Sequence, residues 1–181
     1  MQKTRWNTKT LTFLALLIAL QVIFGDVLAI TLSATNKVSL GPVAAIMAGL
    51  WLGPVPGLLC GVCADIIGFF AAAQAYPFNP FIPLAAGVWG LVPGLFRVLM
   101  AKFDSKGKKS AVLIVSIVIS AIIGTFALTT MGLVLLSGLS FSKIYCTRSL
   151  QMLVGIPVYS IASILLYFSP LTKMVMNQKN N

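Results

Sequence analysis

The chain has no histidine and no glutamate, and its only acidic residues are Asp26, Asp65 and Asp104. Without histidine, neither a Ser–His–Asp nor a Cys–His arrangement can be assembled. No Gly-x-x-x-x-Gly-Lys-Ser/Thr run occurs, so the chain lacks a P-loop for ATP. Proton or sodium coupling draws on carboxylates at membrane depth, and only Asp26 and Asp65 qualify. These absences predict a protein that is not an enzyme, with no cofactor and no metal. Cysteine is also scarce: Cys60, Cys63 and Cys146. The Cys60-x-x-Cys63 spacing invites a redox or metal reading. Both thiols fall in a long apolar run with no histidine to complete a site, so they read as small packing residues.

Apolar residues make up 59% of the 181, charged residues only 9%. A mean hydropathy of +0.99 excludes a soluble domain. A helix needs about 20 mostly apolar residues to cross a bilayer. The sequence predicts an all-α integral membrane protein, a single membrane domain over residues 1–181. Six spans are expected near residues 10–30, 38–52, 55–73, 81–99, 110–136 and 144–168. The second is too short to cross unaided. The Ala34–Leu40 loop is therefore expected to dip inward and roof a cavity, since irregular backbone is tolerated there only inside protein.

Six spans put both termini on one side. Lys3, Arg5, Lys9, Arg97, Lys102, Lys106, Lys108, Lys109, Lys173 and Lys179 lie on that side, against Lys37, Lys143 and Arg148 on the other. The positive-inside rule then makes the termini cytoplasmic. The net charge of +10 reads as this topogenic signal plus attraction to anionic lipid. Basic residues split between termini and loop do not make a nucleic-acid surface. The basic start followed by an apolar run resembles a signal peptide, but the run is long for one and reads as the first span. Lys102–Ser110 is the only linker-like stretch.

Membrane helices associate where small residues let backbones approach. Gly57, Gly61, Ala64 and Gly68 share one helix face, and Gly90/Gly94 and Ser116/Ser120/Gly124 repeat the pattern. Ala15 and Ala19 form an Ala-x-x-x-Ala pair in the first span. It could pack within the bundle or dock another membrane subunit. Gly53, Pro54, Pro56 and Gly57 specify a tight turn between the second and third spans. Tyr76-Pro-Phe-Asn-Pro80 makes a stiff aromatic loop on the opposite side.

What remains is recognition. Asp26, Asp65, Lys37, Asn79, Gln151 and Arg148 fall towards one end of the spans, with Gln74 and Tyr76 in the loop. Trp89 lies mid-membrane, and Phe24, Phe69, Phe70, Phe78, Phe81 and Tyr145 add aromatic surface. Apolar walls with a few convergent polar groups suit a small-molecule site. Each residue also has a structural reading: Asp65 paired with Arg148, Asp26 hydrated at the interface, Trp89 in the core, and Lys37 and Lys143 as solvated charges.

The run Gly49-x-x-x-Gly53-Pro54-x-x-Gly57-x-x-x-Gly61-x-x-x-Asp65-x-x-Gly68 resembles that of substrate-binding S components of energy-coupling factor (ECF) vitamin transporters. Arg148-Ser-Leu-Gln151 and Pro157-Val-Tyr159 resemble the last helix of the folate-specific subgroup. The resemblance implies high-affinity capture of a vitamin, folate first, at the outer face of a bacterial plasma membrane. It implies docking through Ala15 and Ala19 on a membrane coupling subunit with two cytoplasmic ATPases, followed by toppling of the S component in the membrane. On folate, Asp65 would accept from the pterin edge, and Phe24, Tyr76 and Trp89 would stack on the rings. Arg148 or Lys37 would meet the glutamate tail. Alternatives are an S component for pantothenate or thiamine, a structural membrane protein, or a stand-alone ion-coupled transporter.

Overall fold

The computed structural model describes residues 8–27, 30–33, 36–71, 78–137, 140–172 and 175. Helix α1 (Thr8–Val22) widens into a π-helical turn over Ile23–Val27. A hairpin follows, with β1 (Ile30–Ser33) antiparallel to β2 (Asn36–Val38). Helices α2 (Gly41–Leu52), α3 (Pro54–Ala71) and α4 (Phe81–Met100) come next. Helix α5 (Lys106–Ser120) runs through a π-helical segment, Ala121–Thr129, into α6 (Thr130–Ser137), and α7 (Phe141–Phe168) closes the bundle.

Among the described residues, five segments are long and apolar enough to cross a membrane: Thr8–Gly25, Pro54–Ala71, Phe81–Met100, Lys106–Leu136 and Ile144–Phe168. The protein is thus a multi-pass helical membrane protein. The hairpin departs from the all-α expectation. Ile30 was expected to end the first span and Val38 to begin the second, yet they are β partners. β-Branched Ile30, Thr31 and Val38 favour strand over helix. Residues 36–38 of the loop expected to dip inward are strand, and residues 34 and 35 lie outside the described set. Helix α2 starts only at Gly41, with Pro42 in its first turn, where its missing N–H costs no bond. At the other loop, α5 begins at Lys106, which shortens the linker expected over Lys102–Ser110 to residues 101–105.

The 12-residue α2 can be shorter than a lipid-facing span because it is the centre of the bundle. From Val43 to Leu52 every residue is buried, and α1, α3, α4 and α7 pack around it. A helix apolar on all sides belongs in such a position. It ends at Gly53, whose φ of 118° favours glycine, and Pro54 opens α3 at once. That one-residue link folds α3 back along α2.

The α2–α3–α4 contact is backbone on backbone. A Cβ on Gly57 would lie 2.5 Å from Gly90 O, and one on Gly94 2.6 Å from Pro54 Cα. One on Gly61 would meet the Ala86 carbonyl, with Gly87 N at 2.7 Å. The small-residue face read from the sequence is this seam. On α5, Ser116 and Ser120 are buried and donate to the carbonyls of Leu113 and Ser116, at 2.7 and 2.8 Å. Where the π segment meets α6, Thr129 Oγ1 and Thr130 Oγ1 donate to carbonyls five residues back, Gly124 O at 3.0 Å and Thr125 O at 3.1 Å. Hydroxyls thus engage carbonyls in the widened turn.

Candidate functional site

Chain reversals sort the bundle into two ends. One holds Gly53, Arg97, Lys106 and Thr172. The other holds the hairpin, the segment before α4, and the junction of α6 with α7. The Gly53 end is tied by Trp51. Its Nε1 donates to Thr172 Oγ1 at 3.0 Å, and its carbonyl accepts from Arg97 Nη1 at 3.1 Å. Its ring lies 5.7 Å from that of Phe13 on α1. This end is closed by side-chain bonds.

The hairpin end carries the polar candidates. Asp65 on α3 is half-buried, beside Ala64 in sequence and within a turn of Gly61 and Gly68. It therefore borders the seam that fixes α3 against α4. Beyond it, Phe69, Phe70 and Phe78 form a cluster with ring centroids 5.2–6.1 Å apart. Asn79 is buried, and its Oδ1 accepts the N–H of Phe81 at 3.0 Å, capping the start of α4. Its Nδ2 has no hydrogen-bond partner among the described residues. A buried donor left unmet costs about 1–3 kcal/mol, so this amide is a natural place for an acceptor.

Across the bundle, Arg148 Nη1 donates to Gln151 Oε1 at 3.1 Å on α7. Tyr145, one turn earlier, stacks on Phe141 at 5.7 Å and lies 5.3 Å from Phe126 of the π segment. Helix α3 packs on α1, α2 and α4, whereas α7 packs on α2, α5, α6, the π segment and β2. Among the described residues the backbones of α3 and α7 do not pack on one another. Between these groups in sequence lies Trp89 of α4, buried and edge-on to Tyr159 of α7 at 5.3 Å and 81°. Gly124 also touches it, since a Cβ there would sit 3.5 Å from Trp89 Nε1.

Phe24 is half-buried in the π turn that ends α1. The backbones of Asp26 and Lys37 are placed, in the π turn and opposite Thr31 in the hairpin, but their side chains lie outside the description. Gln74 and Tyr76 lie wholly outside the described residues. Ala15 and Ala19 are exposed on α1, on the face away from buried Leu14, Leu17 and Gln21.

Two contacts went unread in the sequence. Tyr159 packs on Trp89, and buried Gln21 accepts from Cys60 Sγ at 3.4 Å. The signal for the second was there, as Gln21 is the one amide in the apolar run from Leu11 to Phe24. The three cysteines are free thiols, and among the described residues no three His, Cys, Asp or Glu side chains gather to hold a metal.

A crystal structure of FolT bound with folic acid is similar to this chain, with a TM-score of 0.74 and 22% identity. The match covers 88% of this chain and 93% of that one. The S-component for biotin from an ECF-type ABC transporter, solved at 2.1 Å, matches with a TM-score of 0.60 and 18% identity. It covers 100% of this chain and 96% of the other. No curated protein sequence matches. The sequence profile described as "ECF transporter, substrate-specific component" matches residues 9–177. The chain therefore belongs to the substrate-specific components of ECF transporters, membrane subunits that bind a transported vitamin and are not enzymes.

Proposed function

We propose that this S component binds folate at the hairpin end, facing outward from a bacterial cell membrane, with six crossings and both termini cytoplasmic. It hands the vitamin on by docking α1 on a membrane coupling subunit driven by two ATPases. The fold shared with folic-acid-bound FolT carries this reading. The residues at the hairpin end suit the ligand's chemistry. A carboxylate at Asp65 matches the paired donor edge of a pterin, and the Asn79 amide offers a donor to a ring acceptor. Trp89 and Tyr159 would form an aromatic floor, and Phe24 and Tyr76 would flank the rings. Arg148, held by Gln151, can meet the glutamate carboxylates in a bidentate fork, and Lys37 of the hairpin would add positive charge. Asp26 completes the polar set at the end of α1. The exposed Ala15 and Ala19 leave a smooth stripe against which another helix could lie closely.

Folate titration of purified protein tests the site. Asp65→Asn and Arg148→Ala are each expected to weaken binding at least about tenfold, the loss of one charge-assisted contact. Unchanged affinity in both rejects the assignment. Likeness to the biotin S-component favours a second reading, a different vitamin on this scaffold. Mass spectrometry of the small molecule released on denaturation separates the two. For docking, Ala15→Trp with Ala19→Trp should abolish uptake and leave ligand affinity within about twofold, since α1 exposes both positions. Equal loss of both would place the alanines in bundle packing.

A further inference from the structure

The link between α4 and α5 is only residues 101–105, and both flanking segments are long and apolar enough to cross a membrane. So short a link cannot leave the headgroup zone. It and the first turn of α5 carry Lys102, Lys106 and Lys108, all exposed, and Lys109, half-buried. Asp104 is the one acid among them, and the first turn of α5 contains none. Lys108 Nζ lies 5.9 Å from the ring centroid of half-buried Phe103, which holds one ammonium close over the loop. Arg97 is engaged elsewhere, on the Trp51 carbonyl. Directly along α4, Leu95, Val98 and Leu99 are exposed apolar residues that continue the same surface towards the hydrocarbon.

We propose that this patch is a binding site for the phosphate headgroups of anionic phospholipids in the leaflet on the Gly53 side. Four like charges within a few residues repel one another, and membrane phosphates relieve that repulsion. Lysine suits this as a flexible point charge that binds phosphate without a fixed geometry. The apolar rim favours a lipid over an acidic protein surface, because acyl chains can lie on Leu95, Val98 and Leu99 while the headgroup meets the lysines. The patch stands at the end of the bundle opposite Asp65 and Arg148, so it is independent of which vitamin binds.

Native mass spectrometry of the full-length protein in detergent, offered equimolar phosphatidylglycerol and phosphatidylcholine, tests the site. The wild type should retain the anionic lipid preferentially. A near-surface lysine contributes about fivefold, so K102Q/K106Q/K108Q/K109Q should cut that preference at least about tenfold. The corresponding four-arginine variant should keep it, and 1 M sodium chloride should erase it in the wild type. Millimolar inorganic phosphate should not displace the lipid. Monodisperse elution and helical circular dichroism check folding, and K102Q/K108Q serves if the quadruple variant misfolds. Undiminished preference in the glutamine variants overturns the proposal, as does displacement of the lipid by inorganic phosphate.

Discussion

Helices α2, α3 and α4 touch through their backbones, whereas α7 meets the bundle through side chains. In the first region glycine is the contact: Gly49, Gly57, Gly61, Gly90 and Gly94 bring carbonyls of one helix against Cα atoms of the next. In the second the contacts include Met152, Tyr159 and Ile144, while Leu150, Leu153, Ile161 and Leu165 are exposed. Backbone contacts have no rotamers and cannot adjust in small steps, whereas side-chain contacts can repack. The site candidates are divided along this line. Asp65 and Trp89 stand on the inflexible slab, and Arg148 and Gln151 on the adjustable helix. A ligand bridging them would be gripped against a fixed wall by a movable one.

The comparison breaks most sharply on the slab. Gly61→Ala puts a methyl onto the Ala86 carbonyl and 2.7 Å from Gly87 N, backbone that cannot turn aside. Overpacking usually costs 1–3 kcal/mol, and here about 3 kcal/mol or more is expected. Thermal unfolding followed by tryptophan fluorescence, with size-exclusion profiles, should show a collapse of the monodisperse species. A variant that melts like the wild type would mean the slab can yield after all.

This slab was legible because its cause is periodic. Glycines three and four residues apart align on one face, and the sequence displays that spacing directly. The shortness of the second span was legible too, although its physical meaning was not. Length alone cannot reveal that α2 is ringed by α1, α3, α4 and α7, so that protein rather than lipid lies along it. The hairpin was hidden because Ile30 and Val38 extend apolar runs on either side and look like helix ends. The second π segment was hidden because the hydroxyls of Thr129 and Thr130 bond five residues back, a register that leaves no hydrophobic signature. Of the site, the residue types were readable. The pairing of Arg148 with Gln151, of Trp89 with Tyr159, and the cap made by Asn79 depend on side-chain geometry that spacing does not encode.

An intermediate effect is expected where the slab meets α6. A Cβ on Gly132 would lie 2.6 Å from Phe81 Cβ and 3.0 Å from Asn79 Oδ1. Part of that contact is a side-chain amide, which can move, so Gly132→Ala should cost about 2 kcal/mol. Moving the amide also disturbs the cap on α4 and turns Nδ2 away from its present direction. On the proposed function, folate affinity should therefore fall along with the melting temperature. Asn79→Ser, which can keep the cap but loses the free amide, separates the two effects: affinity should fall and stability should change little.

The smallest effect belongs to α7. A Cβ on Gly155 would lie 3.0 Å from Tyr159 Cε2 and 3.4 Å from Cζ, atoms of a ring one turn along the same helix. A ring can swing by a few tenths of an ångström where a carbonyl cannot, so Gly155→Ala should cost only about 1 kcal/mol. Helix propensity even offsets part of that, since alanine gains about 0.5–1 kcal/mol over glycine in a helix interior. The displaced ring packs on Trp89, 5.3 Å away, so the substitution should shift tryptophan emission while barely moving the melting temperature. If Gly155→Ala destabilises the protein as strongly as Gly61→Ala, α7 is as rigid as the slab. The division between a fixed wall and a movable one would then fail.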